Sequence, residues 1–237
     1  MRKLRNSLYG CGLRDGIPIA LGYFSVSFGF GISAVNSGLS PLAAVLISMT
    51  NLTSAGQVAG LEVIAALGSL LEIALTQLTI NSRYFLMSLS LSQKLDRSFT
   101  LPHRFLASFG ITDEIFGVAS SKKEPIVPSY MYGLILLPFI GWASGTLLGA
   151  IAGNILPDNV TNALGIAIYG MFVAIVVPSA KKHVGVLIAS LIAIVSSIII
   201  YYVPFFNFIT HGFAIIIASL IGASVAASLK PTEEDAQ

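Results

Sequence analysis

Charged residues are scarce in this sequence. Asp, Glu, Lys and Arg make up 10% of its 237 residues, whereas they make up about a quarter of an ordinary soluble domain. So few charges cannot cover a water-facing surface, which excludes a typical soluble fold. The net charge of +2 is small and its basic residues are scattered, so the composition also excludes nucleic acid as a partner.

Cysteine and the common catalytic motifs are also lacking. The single cysteine, Cys11, can form no internal disulfide and no paired metal site. The three histidines are isolated, and neither an H-E-x-x-H nor a G-x-S-x-G motif occurs. We therefore expect no metal and no cofactor, and we predict that the protein is not an enzyme.

Long apolar runs are what the sequence has in abundance. Hydrophobic residues make up 55% of the chain, and the mean hydropathy is +0.85. A helix needs about 20 apolar residues to cross roughly 30 Å of hydrocarbon, and several such blocks are present. The sequence predicts an all-α, polytopic integral membrane protein that forms a single transmembrane domain over residues 1–237. Its acidic tail, residues 230–237, should stay in water.

Seven or eight transmembrane helices fit the apolar blocks. The blocks between residues 41 and 93 are interrupted by polar residues, so we expect short or broken helices there. The predicted spans are 16–35, 41–60, 61–80 with a shorter continuation to about 93, 129–153, 160–177, 184–203 and 206–229.

Lysines and arginines at the block ends orient these spans, because short basic loops stay on the cytoplasmic side. The basic residues within 1–15 predict a cytoplasmic N-terminus, followed by a retained first helix rather than a cleaved signal peptide. The polar connector, residues 94–127, and the Lys181-Lys182 pair are expected on the same side. This topology requires three crossings between residues 41 and 93.

The two halves of the chain show a weak internal sequence similarity. Gly29 aligns with Gly145 when Pro41 is aligned with Pro157, and in both places a glycine-rich span is followed by a break and a proline. These matches fit either a duplication or chance. The predicted topology makes such repeats parallel, whereas one miscounted span would make them inverted, as in many transporters.

Ionisable residues inside the apolar blocks are functional candidates, since each costs several kcal/mol in a bilayer unless it is paired or hydrated. The blocks before the connector hold three: Glu62, Glu72 and Arg83. Helical spacing places Thr76 and Thr79 on the same face as the last two. This polar stripe should face protein or water, although interhelical hydrogen bonding alone would explain its threonines. Glu62 lies beside a glycine turn, where water at an interface would solvate it.

A second polar cluster is small and uncharged. Its residues lie near the end of the second block and can pack closely or unwind, which would expose backbone groups that bind the charged ends of an amino acid. Close packing of helices explains the cluster equally well. The cluster consists of Asn51, Thr53, Ser54, Gly56 and Gln57.

Paired carboxylates follow a glycine within the connector. Thr112-Asp113-Glu114 comes directly before an apolar run, which is the pattern of a helix N-cap with acidic residues in the first turn. Capping alone would account for the pattern. Two carboxylates beside a membrane cavity could also relay protons.

Four segments stand in a fixed order along the chain: Gly16 to Gln57 with Gly38-Leu39-Ser40-Pro41, Glu72 through Ile80-Asn81-Ser82-Arg83-Tyr84 to Ser88-Leu89-Ser90-Leu91, Ile111 to Glu114, and Gly141 to Gly149. Together they resemble the AzlC-type branched-chain amino acid permeases, and the resemblance covers roughly residues 15–180. It implies export of leucine, isoleucine, valine and similar small amino acids across the bacterial cytoplasmic membrane, together with a small AzlD-like membrane subunit as partner.

The chain departs from the family pattern at two places. Ser54-Ala55-Gly56-Gln57 stands where many members carry Gly-Ala-Ser-Gln, within the expected substrate loop. Arg83-Tyr84 stands where many members carry Arg-His, which removes a titratable group from the polar stripe.

A branched-chain amino acid carries a carboxylate, an ammonium group and an apolar side chain, and its site must recognise all three. We assign the carboxylate to Arg83 or to the N-terminus of a broken helix. Glu72 is assigned to the ammonium group or to a coupling proton, with the proton gradient driving transport. The candidate substrate-binding residues are Ser54, Gly56, Gln57, Glu72, Thr76, Asn81 and Arg83; the candidate proton-coupling residues are Glu72, Asp113 and Glu114.

Two other function classes remain open from the sequence. An intramembrane enzyme acting on a lipid-borne substrate would need polar groups clustered at one headgroup depth rather than spread along a stripe. A non-transporting assembly or sensor subunit would use Glu72 and Arg83 only to stabilise a complex.

Overall fold

The computed structural model describes residues 2–153, 155–157, 159–160, 169–170, 173 and 176–230. This part of the chain is helical and contains no β-strand, which confirms the all-α prediction. The predicted span 160–177 lies mostly outside the described residues, and so does the tail beyond Lys230. The helices are α1 (Arg2–Asn36), α2 (Pro41–Thr50), α3 (Ser54–Ala65), α4 (Leu70–Ser92), α5 (Leu101–Phe109), α6 (Asp113–Ser120), α7 (Pro128–Gly153), α8 (Val184–Tyr202) and α9 (His211–Leu229).

Within the described residues, four helices are long and apolar enough to cross a membrane. They are α1 from Leu8 onward, α7, α8 and α9. Together they confirm a polytopic membrane protein.

Residues 41–65 form the broken helices that the sequence predicts. Pro41 opens α2, and the side chain of Ser40 caps the helix by accepting a hydrogen bond from the backbone N–H of Ala43. The helix stops at Thr50, and α3 begins only at Ser54. With 10 and 12 residues, α2 and α3 extend about 15 and 18 Å. Neither alone spans the hydrocarbon.

The described residues group into two compact units, each made from separated stretches of chain. The first unit comprises Met1–Gln57 and Asn81–Ile168, and the second comprises Val58–Ile80 and Tyr169–Gln237. A single domain over the whole chain stays a prediction.

The first unit is built on the close packing of α1 against α7. Gly12 lies against Gly133 near the start of both helices, and Gly149 lies against Phe28 further along both. Contacts that advance together in this way mean that the helices run parallel. Small residues at the interface allow the two backbones to approach. The chain between them therefore returns to the end from which α1 starts.

The connector 94–127 is a hairpin of α5 and α6 rather than the plain polar segment that the sequence predicts. Its base is closed by backbone pairing between Leu95 and Ile126. Asp15 of α1 fixes this base by an ion pair of 2.7 Å with Lys122 and by a hydrogen bond of 2.8 Å from the hydroxyl of Tyr130. The base thus lies at the same end of the unit as the beginning of α1 and α7.

One face of α5 is apolar and open. Leu101, Phe105 and Leu106 are 66%, 70% and 66% exposed. Such side chains suit a lipid or protein environment better than water. The connector therefore exposes an apolar helix face in addition to its lysines and arginines.

The second unit contains an antiparallel pair, α8 and α9. Gly185 near the start of α8 lies against Lys230, and Gly222 lies against Ala189. Glu72, at the start of α4, bonds to the beginning of α9 in the same unit. The second unit thus places the lysines that flank α8 and α9 at one end and the link between these two helices at the other.

Candidate functional site

A directed chain of hydrogen bonds lies beside the break between α2 and α3. The Arg83 guanidinium donates to the Tyr84 hydroxyl at 3.1 Å, and that hydroxyl donates to Thr53 at 3.2 Å. Thr53 in turn donates to the side-chain oxygen of Asn81 at 2.8 Å. Because each hydroxyl accepts one bond and donates one, every member has a defined role. The break in the helix is thereby tied to the middle of α4.

Arg83 also reaches the tip of the α5–α6 hairpin. Its Nη1 lies 2.5 Å from Oδ2 of Asp113, the first residue of α6. Thr112 caps that helix by accepting a bond from the backbone N–H of Ile115. The predicted N-cap is therefore present, and one of its carboxylates pairs with the stripe arginine.

The Arg83–Asp113 pair is reachable from outside the protein. The two side chains are 39% and 44% exposed. Burial raises the pKa of Asp113, which lies outside the four long spans, while the positive charge of Arg83 opposes this rise. Part of this charged pair is therefore left uncovered by the protein.

Tyr23 of α1 holds the second carboxylate of the hairpin tip. Its hydroxyl oxygen lies 2.5 Å from Thr112 Oγ1 and 2.5 Å from Glu114 Oε2. A phenol has one proton, so Tyr23 donates to the carboxylate and accepts from the threonine. The Tyr23 ring also packs edge-on against Trp142, with ring centroids 5.1 Å apart.

The hairpin is re-entrant. Its base is fixed by Asp15, whereas its tip meets Tyr23, about two helical turns or roughly 12 Å further along α1. The chain enters and leaves at the same end, and its Thr112-Asp113-Glu114 tip is carried into the helix bundle. There the tip faces Arg83, which connects it to the break between α2 and α3.

A second set of polar residues, centred on Gln57, fixes the helices next to this network. Gln57 is 1% exposed, accepts a bond of 2.9 Å from the Trp142 indole and donates a bond of 3.2 Å to Ser48. Ser48 lies 2.7 Å from the Thr146 hydroxyl. These contacts fix the ends of α2 and α3 against α7 and keep Gln57 bound to protein partners.

Glu72 occupies a different setting, in the second unit. It is 3% exposed and receives hydrogen bonds from the Thr210 hydroxyl and, at 2.7 Å, from the backbone N–H of Gly212. These donors belong to the first turn of α9, where the helix dipole also favours a negative charge. Glu72 therefore caps a helix. The fully buried Thr76 lies beside it, and its hydroxyl has no hydrogen-bond partner among the described residues.

The residues predicted from the sequence thus separate into two groups. Asn81, Arg83, Asp113 and Glu114 meet in one network of the first unit, and Gln57 lies in its support. Ser54 and Gly56 begin α3 at the edge of the same break. Glu72 and Thr76 belong to the second unit. Substrate and proton roles for all of these residues stay predictions.

Sequence reasoning missed several members of the network. Tyr23 is a lone hydroxyl-bearing aromatic residue in the first span, and Asp15 precedes that span by one residue. Polarity within or next to an apolar block is the signal that could have marked both. Trp142 was part of a family motif, but its contact with Gln57 depends on helix packing. Among the described residues no cluster of His, Cys, Asp or Glu side chains could hold a metal ion.

The fold and this network define a class of protein: a polytopic membrane protein with broken helices and charged groups inside its helix bundle. The family model described as "AzlC protein" matches residues 18–156. The chain therefore belongs to the AzlC family. Apart from Asp15, which precedes the matched region, every residue of the first-unit network lies within it.

Two relatives of this chain are also described as membrane proteins. An uncharacterized membrane protein of Archaeoglobus fulgidus is 32% identical over 183 residues, which cover 76% of this chain and 80% of the relative. The inner membrane protein YgaZ of Escherichia coli is 28% identical over 201 residues, 81% of this chain and 82% of the relative. No solved structure gives a significant match.

Proposed function

We propose that this chain is a transporter that exports branched-chain amino acids, leucine, isoleucine and valine, and similar small amino acids. The observation that carries the proposal is the Arg83 network. It places an accessible ion pair beside a helix break, within helices whose other faces are apolar. Ionisable groups in such a setting mark substrate and ion pathways.

Arg83 is the proposed ligand of the substrate carboxylate. In the structure the Arg83 guanidinium is paired with the carboxylate of Asp113. A substrate carboxylate would bind at the same place. A guanidinium binds any carboxylate by the same charge-assisted hydrogen bonds. Substrate would displace Asp113, and the hairpin tip would lose one of its two anchors.

The proposed coupling ion is the proton, and Asp113 is its carrier. A carboxylate at this place can bind and release a proton, and its contact with Arg83 favours the ionised form. Because gradient-driven export needs the proton to move opposite to the substrate, Asp113 would carry its proton in the step that returns the site without substrate. Glu114, held by Tyr23, is a second proton site of the same tip.

Glu72 is less suited to this role because of its contacts. Donors from Thr210 and Gly212 stabilise its charged form and tie it to α9. We keep it as a candidate for the ammonium group of the substrate or for the coupling proton, with helix capping as its alternative role.

A small AzlD-like membrane subunit is the proposed partner, as the family resemblance implies. The long apolar helix α8 agrees with such a partner or with lipid, because many of its large side chains, including Leu191, Ile194 and Val195, are exposed. The proposed location is the bacterial cytoplasmic membrane with a cytoplasmic N-terminus, which rests on the distribution of lysine and arginine.

The test is efflux of radiolabelled leucine, isoleucine and valine from cells that lack their own exporters. The chain is expressed alone and with its AzlD-like partner, and its presence in the membrane is verified by immunoblot. Efflux above that of empty cells supports the proposal, and efflux that needs both chains supports the partner. No efflux from cells that hold both chains would overturn the transport function.

A further inference from the structure

The second unit contains an open cleft that is separate from the Arg83 network. The cleft has a volume of about 810 Å³, several times that of one small amino acid, so it can hold a ligand together with water. The last turn of α3, the end of α8, the link after it and the start of α9 line the cleft. Its walls include Glu62, which no role proposed so far uses.

The cleft lies at one end of the α8–α9 pair. Lys181, Lys182 and Lys230 flank the opposite end, and the positive-inside rule places that end in the cytoplasm. The end of α8 next to the cleft carries two exposed tyrosines, Tyr201 at 65% and Tyr202 at 73%. Such residues concentrate where a membrane meets water. The cleft therefore opens at the external interface.

The polar lining combines a carboxylate with an imidazole and neutral hydrogen-bonding groups. Glu62 supplies a carboxylate, and His211 is close enough to influence it electrostatically. Asn207 and Ser197 add neutral hydrogen-bonding groups, and the ring of Tyr201 packs against His211 with centroids 6.1 Å apart. The remaining described lining is apolar and consists of alanines, isoleucines and Phe206. A carboxylate, an imidazole and an apolar wall in one cleft match the three parts of an aliphatic amino acid.

We propose that this cleft is an external binding site for a zwitterionic aliphatic amino acid. Glu62 binds the ammonium group, His211 and Asn207 bind the carboxylate, and the aliphatic wall holds the side chain. The choice of leucine as ligand rests on the proposed function. The site is distinct from Arg83 and would hold exported amino acid before it is released outside the cell.

A zwitterion fits the lining better than a ligand of one charge. A simple cation would use Glu62 and leave the imidazole and amide without a role, whereas an anion would be repelled by Glu62. Leucinamide, which lacks the carboxylate, and 4-methylpentanoate, which lacks the ammonium group, separate these cases. Each should compete for the cleft about tenfold less well than leucine, since each loses a charge-assisted contact.

The test is equilibrium binding of radiolabelled leucine to the full chain in lipid nanodiscs. The variants are Glu62→Gln, His211→Asn, Arg83→Ala and the double variant Glu62→Gln with Arg83→Ala. Glu124→Gln, an exposed carboxylate of the connector, is the matched control. Each protein is first shown to be monodisperse. If Glu62→Gln folds poorly, leucine binding by His211→Asn still tests the cleft.

We expect two leucine sites in the unaltered chain and in the control, one site in each single variant, and none in the double variant. Binding that disappears with Glu62→Gln alone and is untouched by Arg83→Ala would support the cleft and refute the Arg83 site. Unchanged binding in both Glu62→Gln and His211→Asn would overturn the cleft proposal. So would the absence of leucine binding from the unaltered chain.

Discussion

At the scale of single residues, the ion pair between Arg83 and Asp113 has the largest consequence. Both side chains are partly exposed, at 39% and 44%, so the contact is not fully enclosed by protein. Each partner also belongs to a wider network: Arg83 bonds to Tyr84, and Asp113 begins a helix whose second carboxylate bonds to Tyr23. A ligand that takes Arg83 therefore changes the charge balance of the whole hairpin tip.

Asp113→Asn tests the proton role of this carboxylate. The variant keeps the size of the side chain but cannot bind and release a proton in the physiological range. We expect leucine counterflow, which needs no gradient, to remain within about threefold of the unaltered chain, because the substrate site keeps Arg83. Efflux driven by an imposed pH gradient should become independent of that gradient.

Leucine flux measured with and without the pH gradient, in the same vesicles, checks this prediction. Glu124→Gln serves as the control because it removes an exposed carboxylate of the connector. An Asp113→Asn variant that responds to the gradient as strongly as the control would show that another group carries the proton.

Tyr23→Phe removes one hydroxyl and leaves the ring against Trp142. The lost hydrogen bond is to the carboxylate of Glu114, and bonds to charged groups contribute about 1.5–3 kcal/mol to stability. We expect a lower midpoint of thermal unfolding in nanodiscs and about tenfold slower efflux. Tyr202→Phe, at a tyrosine that is 73% exposed, should change neither. Equal efflux from the Tyr23→Phe and Tyr202→Phe variants would show that the Tyr23 hydroxyl has no role in transport.

At the scale of helices, two elements position the site. The α1–α7 pair forms a parallel scaffold, and the α5–α6 hairpin returns to the end where it started. The hairpin base is fixed by backbone pairing and by Asp15, whereas its tip is held through side chains. The tip is also packed into the core of the first unit, where Ile111, Thr112 and Ile115 are buried.

Gly149→Ala tests the scaffold. A methyl group at this position would overlap the carbonyl oxygen of Phe28, which is backbone and cannot turn away. We expect a destabilisation of about 1–3 kcal/mol, seen as a lower midpoint of thermal unfolding.

Gly22→Ala is the matched control for this prediction. It lies on α1 with nothing within 4 Å of the added methyl group, so the higher helix propensity of alanine should leave stability unchanged or raise it by up to about 1 kcal/mol. Equal unfolding midpoints for the two variants would contradict the close packing of α1 and α7.

Several element boundaries followed from local signals in the sequence. The boundary expected at the glycine beside Glu62 was wrong, because Gly60 and Leu61 lie inside α3 and the helix ends only at Ala65. Ser40-Pro41 predicted the start of α2, the polar residues from Asn51 predicted a break, and Thr112 predicted a helix cap. Each signal acts within one helical turn. The re-entrant course of the connector was not predicted, because it depends on pairing between Leu95 and Ile126 and on the distant contact of Asp15 with Lys122.

The polar stripe on α4 shows the same limit. Helical periodicity correctly placed Glu72 and Arg83 on the more buried face of one continuous helix. It could not show that these residues bond to different parts of the chain, Glu72 to the start of α9 and Arg83 to the tip of the hairpin. Periodicity fixes the direction of a side chain, and the identity of its partner depends on tertiary packing.

At the scale of the whole molecule, the chain provides two compact units with different chemistry. The first unit holds Arg83, both carboxylates of the hairpin tip and the helix break. The second holds the capped Glu72 and the cleft with Glu62 and His211. Membership of the AzlC family covers the first-unit network from Tyr23 to Thr146. A transport function for the molecule depends first on whether Arg83 binds substrate.

The most direct test of that dependence is the initial rate of leucine efflux in Arg83→Gln compared with Arg97→Gln, at equal amounts in the membrane. Arg97 is an exposed arginine of the connector, so its loss should leave the rate within about twofold. Loss of the Arg83 guanidinium removes a charge-assisted contact to the substrate carboxylate and should slow efflux about tenfold or more. Equal efflux from the two variants would contradict a substrate site at Arg83.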